Sequence, residues 1–83
     1  MEMIYDEIDR AIFKILYSNK PKLIGYQVLD RKMIDEMNED FTFTRTLSKR
    51  MQNYVELDFF TYEHLKGYII TEKGIEEYLK MIL

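Results

Sequence analysis

The chain has no cysteine and no tryptophan, and only one histidine, one proline and three glycines. Without cysteine there is no disulfide framework and no zinc–thiolate site, and a lone histidine cannot provide the other common ligand cluster. No metal and no cofactor are therefore expected. The scarcity of glycine and proline argues against an all-β fold, which needs frequent turns. No apolar run approaches the roughly 18 residues that would span a bilayer. Neither end reads as a basic leader followed by an apolar core and a small-residue cleavage site. The expectation is a soluble protein, cytoplasmic by default, with no membrane partner. Catalysis also lacks its usual parts: no nucleophile–base pair, no phosphate-cradling glycine loop, and no paired carboxylates in an evident apolar pocket. The chain is read as a non-enzyme.

What is present is apolar and charged in helix-compatible proportion, 47% and 33% of 83 residues. That is too apolar for disorder and enough for one domain, residues 1–83, with one modest core. The net charge of −3 argues against non-specific coating of nucleic acid, although a local basic face remains possible on an acidic protein.

Such a face is concentrated in the stretch TFTRTLSKRMQNYVELD, from Thr42 to Asp58. Leu47, Met51, Tyr54 and Val55 recur at three- and four-residue intervals, which makes one stripe of a helix and turns Arg45, Lys49, Gln52 and Asn53 to the other side. Thr44 is placed to cap that helix, so the expected span is 45–56. Between residues 44 and 53 the charged side chains are Arg45, Lys49 and Arg50, all basic. Arg, Lys, Gln and Asn are the side chains suited to phosphates and to base edges in the major groove.

Around this helix the periodicity predicts three others. Ile4, Ile8, Ala11, Ile12, Ile15 and Leu16 give a first helix over about 5–18, with Asp6, Glu7 and Asp9 in its early turns and Pro21 beyond its end. Leu23 and Ile24 form a short apolar step that can add one edge to a small sheet. Tyr26, Leu29, Met33 and Met37 give a second helix over about 26–37, with Val28 and Ile34 on its flanks. The acids Asp35, Glu36, Glu39 and Asp40 follow, but they lack the oxygen ladder and central glycine of a calcium loop and read as a solvated terminus. Phe41 and Phe43 alternate with threonines, a turn that can drop two rings into the core. Leu57 and Phe59–Tyr62, then Tyr68–Ile70, read as two strands joined by a tight loop over Glu63–Gly67. Thr71 caps a last helix whose buried stripe is expected at Ile75, Tyr78, Leu79 and Ile82.

The order of helix, short strand, helix, turn, helix, hairpin and helix resembles the winged helix-turn-helix superfamily, in particular its small archaeal regulators. Three stretches carry the likeness: LIGYQVLDRKMIDEM at Leu23–Met37, TRTLSKRMQNYVELDFF at Thr44–Phe60, and GYIITEKGIEEYL at Gly67–Leu79. The phrase TEKG, here Thr71–Gly74, is frequent after a wing strand in that superfamily. The resemblance implies an α+β, mainly helical fold with a three-helix core, a β-hairpin wing and a C-terminal helix. It also implies sequence-specific binding of double-stranded DNA by a small transcriptional regulator, with the 45–56 helix in the major groove. Thr44, Arg45, Thr46 and Lys49 would contact DNA from that helix, with Arg50, Gln52 and Asn53. Residues His64 and Lys66 of the wing would touch the flanking backbone. Two departures stand out: Asp58 occupies a position where many relatives have glycine, and the wing is short and poor in arginine. The second keeps a protein–protein interaction module open as the alternative. Phe13, Tyr17, Met81 and Leu83 fall off the predicted stripes, which suggests a symmetric homodimer formed through them.

Overall fold

Residues 4–37 and 44–83 are described by a computed structural model. Phe41 and Phe43, with Glu39 and Asp40, lie outside the described residues, as do the side chains of Thr44 and Arg45. Four α-helices and one two-stranded antiparallel sheet make up the described part, a mainly helical α+β arrangement.

Asp6 decides where the first helix, α1 (Glu7–Asn19), begins. Its carboxylate accepts from the Asp9 amide at 2.9 Å, while the Asp9 carboxylate accepts from the Asp6 amide at 3.2 Å. This reciprocal capping box satisfies two amides that a helix start otherwise leaves free. The helix thus starts two residues later than its apolar pattern suggests, and Ile4 is left exposed rather than packed. Along α1 Asp9, Ala11, Ile12, Phe13, Ile15 and Leu16 are all buried, so the helix is enclosed on most of its circumference. Phe13 is the hub: the rings of Tyr5, Tyr54, Phe59 and Phe60 surround it at centroid distances of 4.8–5.9 Å. Its predicted place in a dimer interface is therefore corrected; a single-stripe reading fails for a helix packed on several sides.

Helix α2 (Tyr26–Glu36) buries Leu29 and Met33 as its periodicity predicts, whereas Tyr26 and Val28 remain partly exposed. Helix α3 (Thr44–Glu56) buries Leu47, Met51 and Tyr54. Thr44 stands inside α3 as its first residue rather than before it. The C-terminus of α3 closes with the Phe59 amide donating to the Tyr54 carbonyl and the Asp58 amide to the Val55 carbonyl, both at 3.0 Å. That pair of bonds is a Schellman motif, and it needs a left-handed residue between them. Asp58 provides it at φ 65°, a conformation that Asp tolerates better than most side chains.

Strands β1 (Phe60–Glu63) and β2 (Gly67–Ile70) pair antiparallel, Phe60 opposite Ile70 and Glu63 opposite Gly67. Ile24 adds a third edge, exchanging two 2.8 Å backbone hydrogen bonds with Tyr68. Gly67 is needed there, since a Cβ on it would lie 2.4 Å from the Ile24 carbonyl group and its φ is 123°.

Helix α4 (Glu72–Ile82) is capped by Thr71, whose hydroxyl accepts from the Gly74 amide at 3.0 Å and lies 2.5 Å from the Asp58 carbonyl oxygen, to which it can donate. A Cβ at Gly74 would lie 2.1 Å from the Phe59 carbonyl oxygen. Thr71 and Gly74 thus have physical roles in the TEKG phrase: one starts the helix, the other lets it touch the end of α3. That close approach at Gly74 rolls α4. Gly74 and Tyr78 face the core with Ile75 and Met81 half-buried, whereas Leu79 and Ile82, expected in the buried stripe, are 38% and 56% exposed. The segment before α1 is tied to α4 by the Tyr5 hydroxyl, which donates to Glu77 at 2.5 Å. No helix among the described residues is long and apolar enough to cross a membrane.

Candidate nucleic-acid interface

The outer face of α3 follows directly from its buried one. With Leu47, Met51 and Tyr54 turned inward, the ~100° step per residue carries Ser48, Lys49, Gln52 and Asn53 to solvent, and each is exposed. Thr46 is exposed as well. Glu56 ends the same face with one negative charge. The face is thus polar and singly basic along its described middle, with amide side chains that can both donate and accept.

Arg50 is not part of it. Only ~40° separates Arg50 from Tyr54 around the helix, so its side chain leaves α3 along the flank of the buried stripe and meets the start of α1. Its guanidinium bonds both Asp6 carboxylate oxygens at 3.1 Å and an Asp9 oxygen at 2.7 Å, and its Nε lies 3.3 Å from the Thr46 hydroxyl. Tyr54 donates its hydroxyl to the same Asp9 oxygen. Burial alone would raise the Asp6 carboxyl, but the Asp9 amide and Arg50 outweigh it and hold it below its ordinary value. Burial, reinforced by the bond to Asp9, pushes the Tyr54 phenol well above its ordinary value, so it stays a donor at neutral pH. Arg50 is thereby corrected from a phosphate contact to the clamp between α1 and α3.

The hairpin presents the two other predicted contacts. His64 and Lys66 are both exposed in the loop after β1, and Lys66 sits 3.1 Å from Glu63 in a solvated pair. An open groove of about 610 Å³ runs from the start of α2 to this loop, lined by Tyr26, Gln27, Val28, Tyr62, Leu65 and Tyr68 among others. The Tyr62 and Tyr68 rings face each other across the strands at 4.8 Å. Burial raises the phenols of both Tyr26 and Tyr68, with Asp30 adding to the first and Tyr62 to the second. The Ser48 backbone offsets part of the rise at Tyr26.

Sequence reasoning missed this tyrosine-lined groove. Tyr26 was expected in the buried stripe of α2, and the alternation of Tyr62 with Phe60 was the one available signal that Tyr62 faces outward. Of the residues expected at a dimer interface, Phe13 is fully buried. The Tyr17 ring lies tilted against Tyr78 at 5.0 Å, Met81 packs half-buried on the core, and Leu83 is fully in solvent. Among the described residues no group of acidic or histidine side chains is arranged to hold a metal. Compared with known protein families, curated proteins and solved structures, the chain gives no significant match.

Proposed function

We propose that this protein is a winged helix-turn-helix regulator that binds double-stranded DNA in a sequence-specific manner, with α3 in the major groove and the β1–β2 hairpin as its wing. One observation carries the reading. The exposed face of α3 holds Lys49, Gln52 and Asn53, turned away from the buried stripe of Leu47, Met51 and Tyr54. Gln and Asn side chains match adenine edges, and a lysine matches a phosphate. A cytoplasmic location belongs with this reading.

Replacing Gln52 by alanine is expected to relax preference at one base pair and to cost roughly 1–3 kcal/mol on the selected site. Lys49→Ala weakens all duplexes alike and lowers the salt slope by about one unit. Selection from random duplexes, followed by anisotropy titrations at several salt concentrations, reads both effects. No duplex binding by the parent at low salt would overturn the reading and favour the protein-interaction module. That second reading draws support from Arg50, which is used inside the fold and subtracts one cation from the groove-facing helix.

The reading includes a two-fold dimer, through a surface that keeps Leu83 of the expected residues and adds Leu79 and Ile82. Leu79, Ile82 and Leu83, the last 99% exposed, form an apolar stripe on the outer side of α4. Glu76 and Lys80 flank it on one side, one helical turn apart. An antiparallel second copy would set each acid near the opposing lysine while covering the stripe. Light scattering should give about twice 10.2 kDa for the parent and 10.2 kDa for Leu79→Glu. A monomeric parent at micromolar concentration would remove the dimer from the proposal.

A further inference from the structure

The hairpin keeps one backbone edge open, and its hydrogen bonds show which residue lies on it. Tyr68 gives both its backbone groups to Ile24, each bond 2.8 Å long, so neither points toward β1. Tyr62 lies directly opposite Tyr68 and therefore forms a non-hydrogen-bonded pair with it, its own N–H and C=O pointing away from the sheet. The bond from the Thr71 amide to the Phe59 carbonyl at 2.9 Å has the same parity: Phe59 and Thr61 turn toward β2, Phe60 and Tyr62 away from it. Among the described residues no backbone group meets Tyr62 from the outer side, and residues 61–66 are all exposed.

Edges of this kind are commonly blunted by proline, lysine or a bulge. None of these interrupts β1, whose four positions pair with β2 in unbroken register. Beside the edge lies an apolar surface: the half-exposed Tyr62 ring lines the same groove as Tyr26, Val28 and Leu65, each of them exposed. A strand laid antiparallel against Tyr62 would exchange two hydrogen bonds with it and set one side chain beside that ring, on the same face of the sheet. What the edge lacks is another backbone. The open length ends at Phe60, which is fully buried. A two-fold pairing of β1 with its copy would set Phe60 against a residue of the other hairpin, where no edge is open, whereas a flexible segment can leave the sheet after Tyr62.

We propose that the outer edge of β1 captures an extended segment of a partner protein as an added antiparallel strand, whose residue opposite Tyr62 carries an apolar side chain. Glu63 and Lys66 offset one another at 3.1 Å, so the net charge of −3 sets the longer-range field and favours neutral or basic flanks on that segment. Capture at this edge is independent of DNA binding by α3.

The probe is a pool of random heptapeptides enriched on the immobilised protein, from which the selected sequence is then synthesised. In the protein alone the Tyr62 amide should exchange with solvent faster than that of Thr61, which is turned toward β2, and the selected peptide should slow it. Methylating the peptide nitrogen that bonds Tyr62 should weaken binding about tenfold, whereas the nitrogens on either side of it point outward and should tolerate the methyl group. Tyr62→Pro and Tyr62→Ala both remove the ring, but only proline also removes the outward N–H. Both should fold, since an edge tolerates proline there, and Tyr62→Pro should bind the peptide more weakly. No enriched sequence, no slowing at Tyr62, or binding indifferent to which nitrogen is methylated would each overturn strand addition. In a Leu79→Glu background, a dimer that Tyr62→Pro returns to 10.2 kDa would make the occupant a second copy and overturn capture of a foreign segment.

Discussion

Arg50→Ala is expected to destabilise the protein by about 2–4 kcal/mol, more than its place on a solvated helix flank would suggest. Removing one partner of a buried ion pair typically costs ~3–5 kcal/mol because the other charge is left uncompensated. Here the Arg50 side chain is 25% exposed and that of Asp9 9%, so water recovers part of the loss. The damage is concentrated at Asp9, which among the described residues would keep only the Tyr54 hydroxyl and the Asp6 amide. A denaturant titration measures the cost, and the double variant with Asp9→Asn should recover much of it, since the orphaned charge is then gone. The pH dependence follows from Asp6. Its folded-state value lies below the ordinary 3.8, so its stabilising contribution is fully present above that value and disappears as the pH falls through the lower one. Asp6→Asn should therefore flatten the acid limb of the stability profile below about pH 4. An unchanged midpoint in Arg50→Ala would show that the guanidinium is solvated rather than clamped. The same variant makes a poor probe of DNA binding, because any weakening would mix lost contacts with lost structure.

The second large effect is at Phe13. Truncation to alanine removes the ring around which Tyr5, Tyr54, Phe59 and Phe60 are arranged, and the expected cost is about 3–5 kcal/mol. Concentration separates this origin from an interface one. A core residue lowers the unfolding midpoint equally at all protein concentrations, whereas an interface residue acts through dimer dissociation and its effect grows on dilution. A Phe13→Ala midpoint that matched the parent in a monomeric background would place the ring outside the core.

These two residues also mark where sequence reasoning stops. Helices over 7–19, 26–36, 44–56 and 72–82, and the hairpin between them, were legible because each leaves a local trace: a repeat of three and four, an alternation of rings, or a cap such as Thr71. The exposure of Lys49, Gln52 and Asn53 was legible for the same reason, since a buried stripe of Leu47, Met51 and Tyr54 determines its opposite. How many neighbours a helix has is not written in its own period. Phe13 was misplaced because α1 is enclosed on several sides, and Arg50 because its two carboxylates belong to another element. Asp6 and Asp9 were read only as favourable charges in a first turn, although their spacing is also that of a reciprocal cap. The roll of α4 about Gly74 had no signal beyond the glycine itself.

The arrangement about Phe13 also bears on how the chain is made. Apart from Tyr5, the rings around it among the described residues come from the second half of the sequence, from the end of α3 to the start of β1. A ribosome delivers α1 first, and contacts between distant parts of a chain form only after both parts exist. Throughout that interval Ile12, Phe13 and Leu16 belong to a helix without its aromatic lid. The closed core is thus a late event of synthesis, and a nascent chain halted before Tyr54 presents an apolar surface of the kind that chaperones retain.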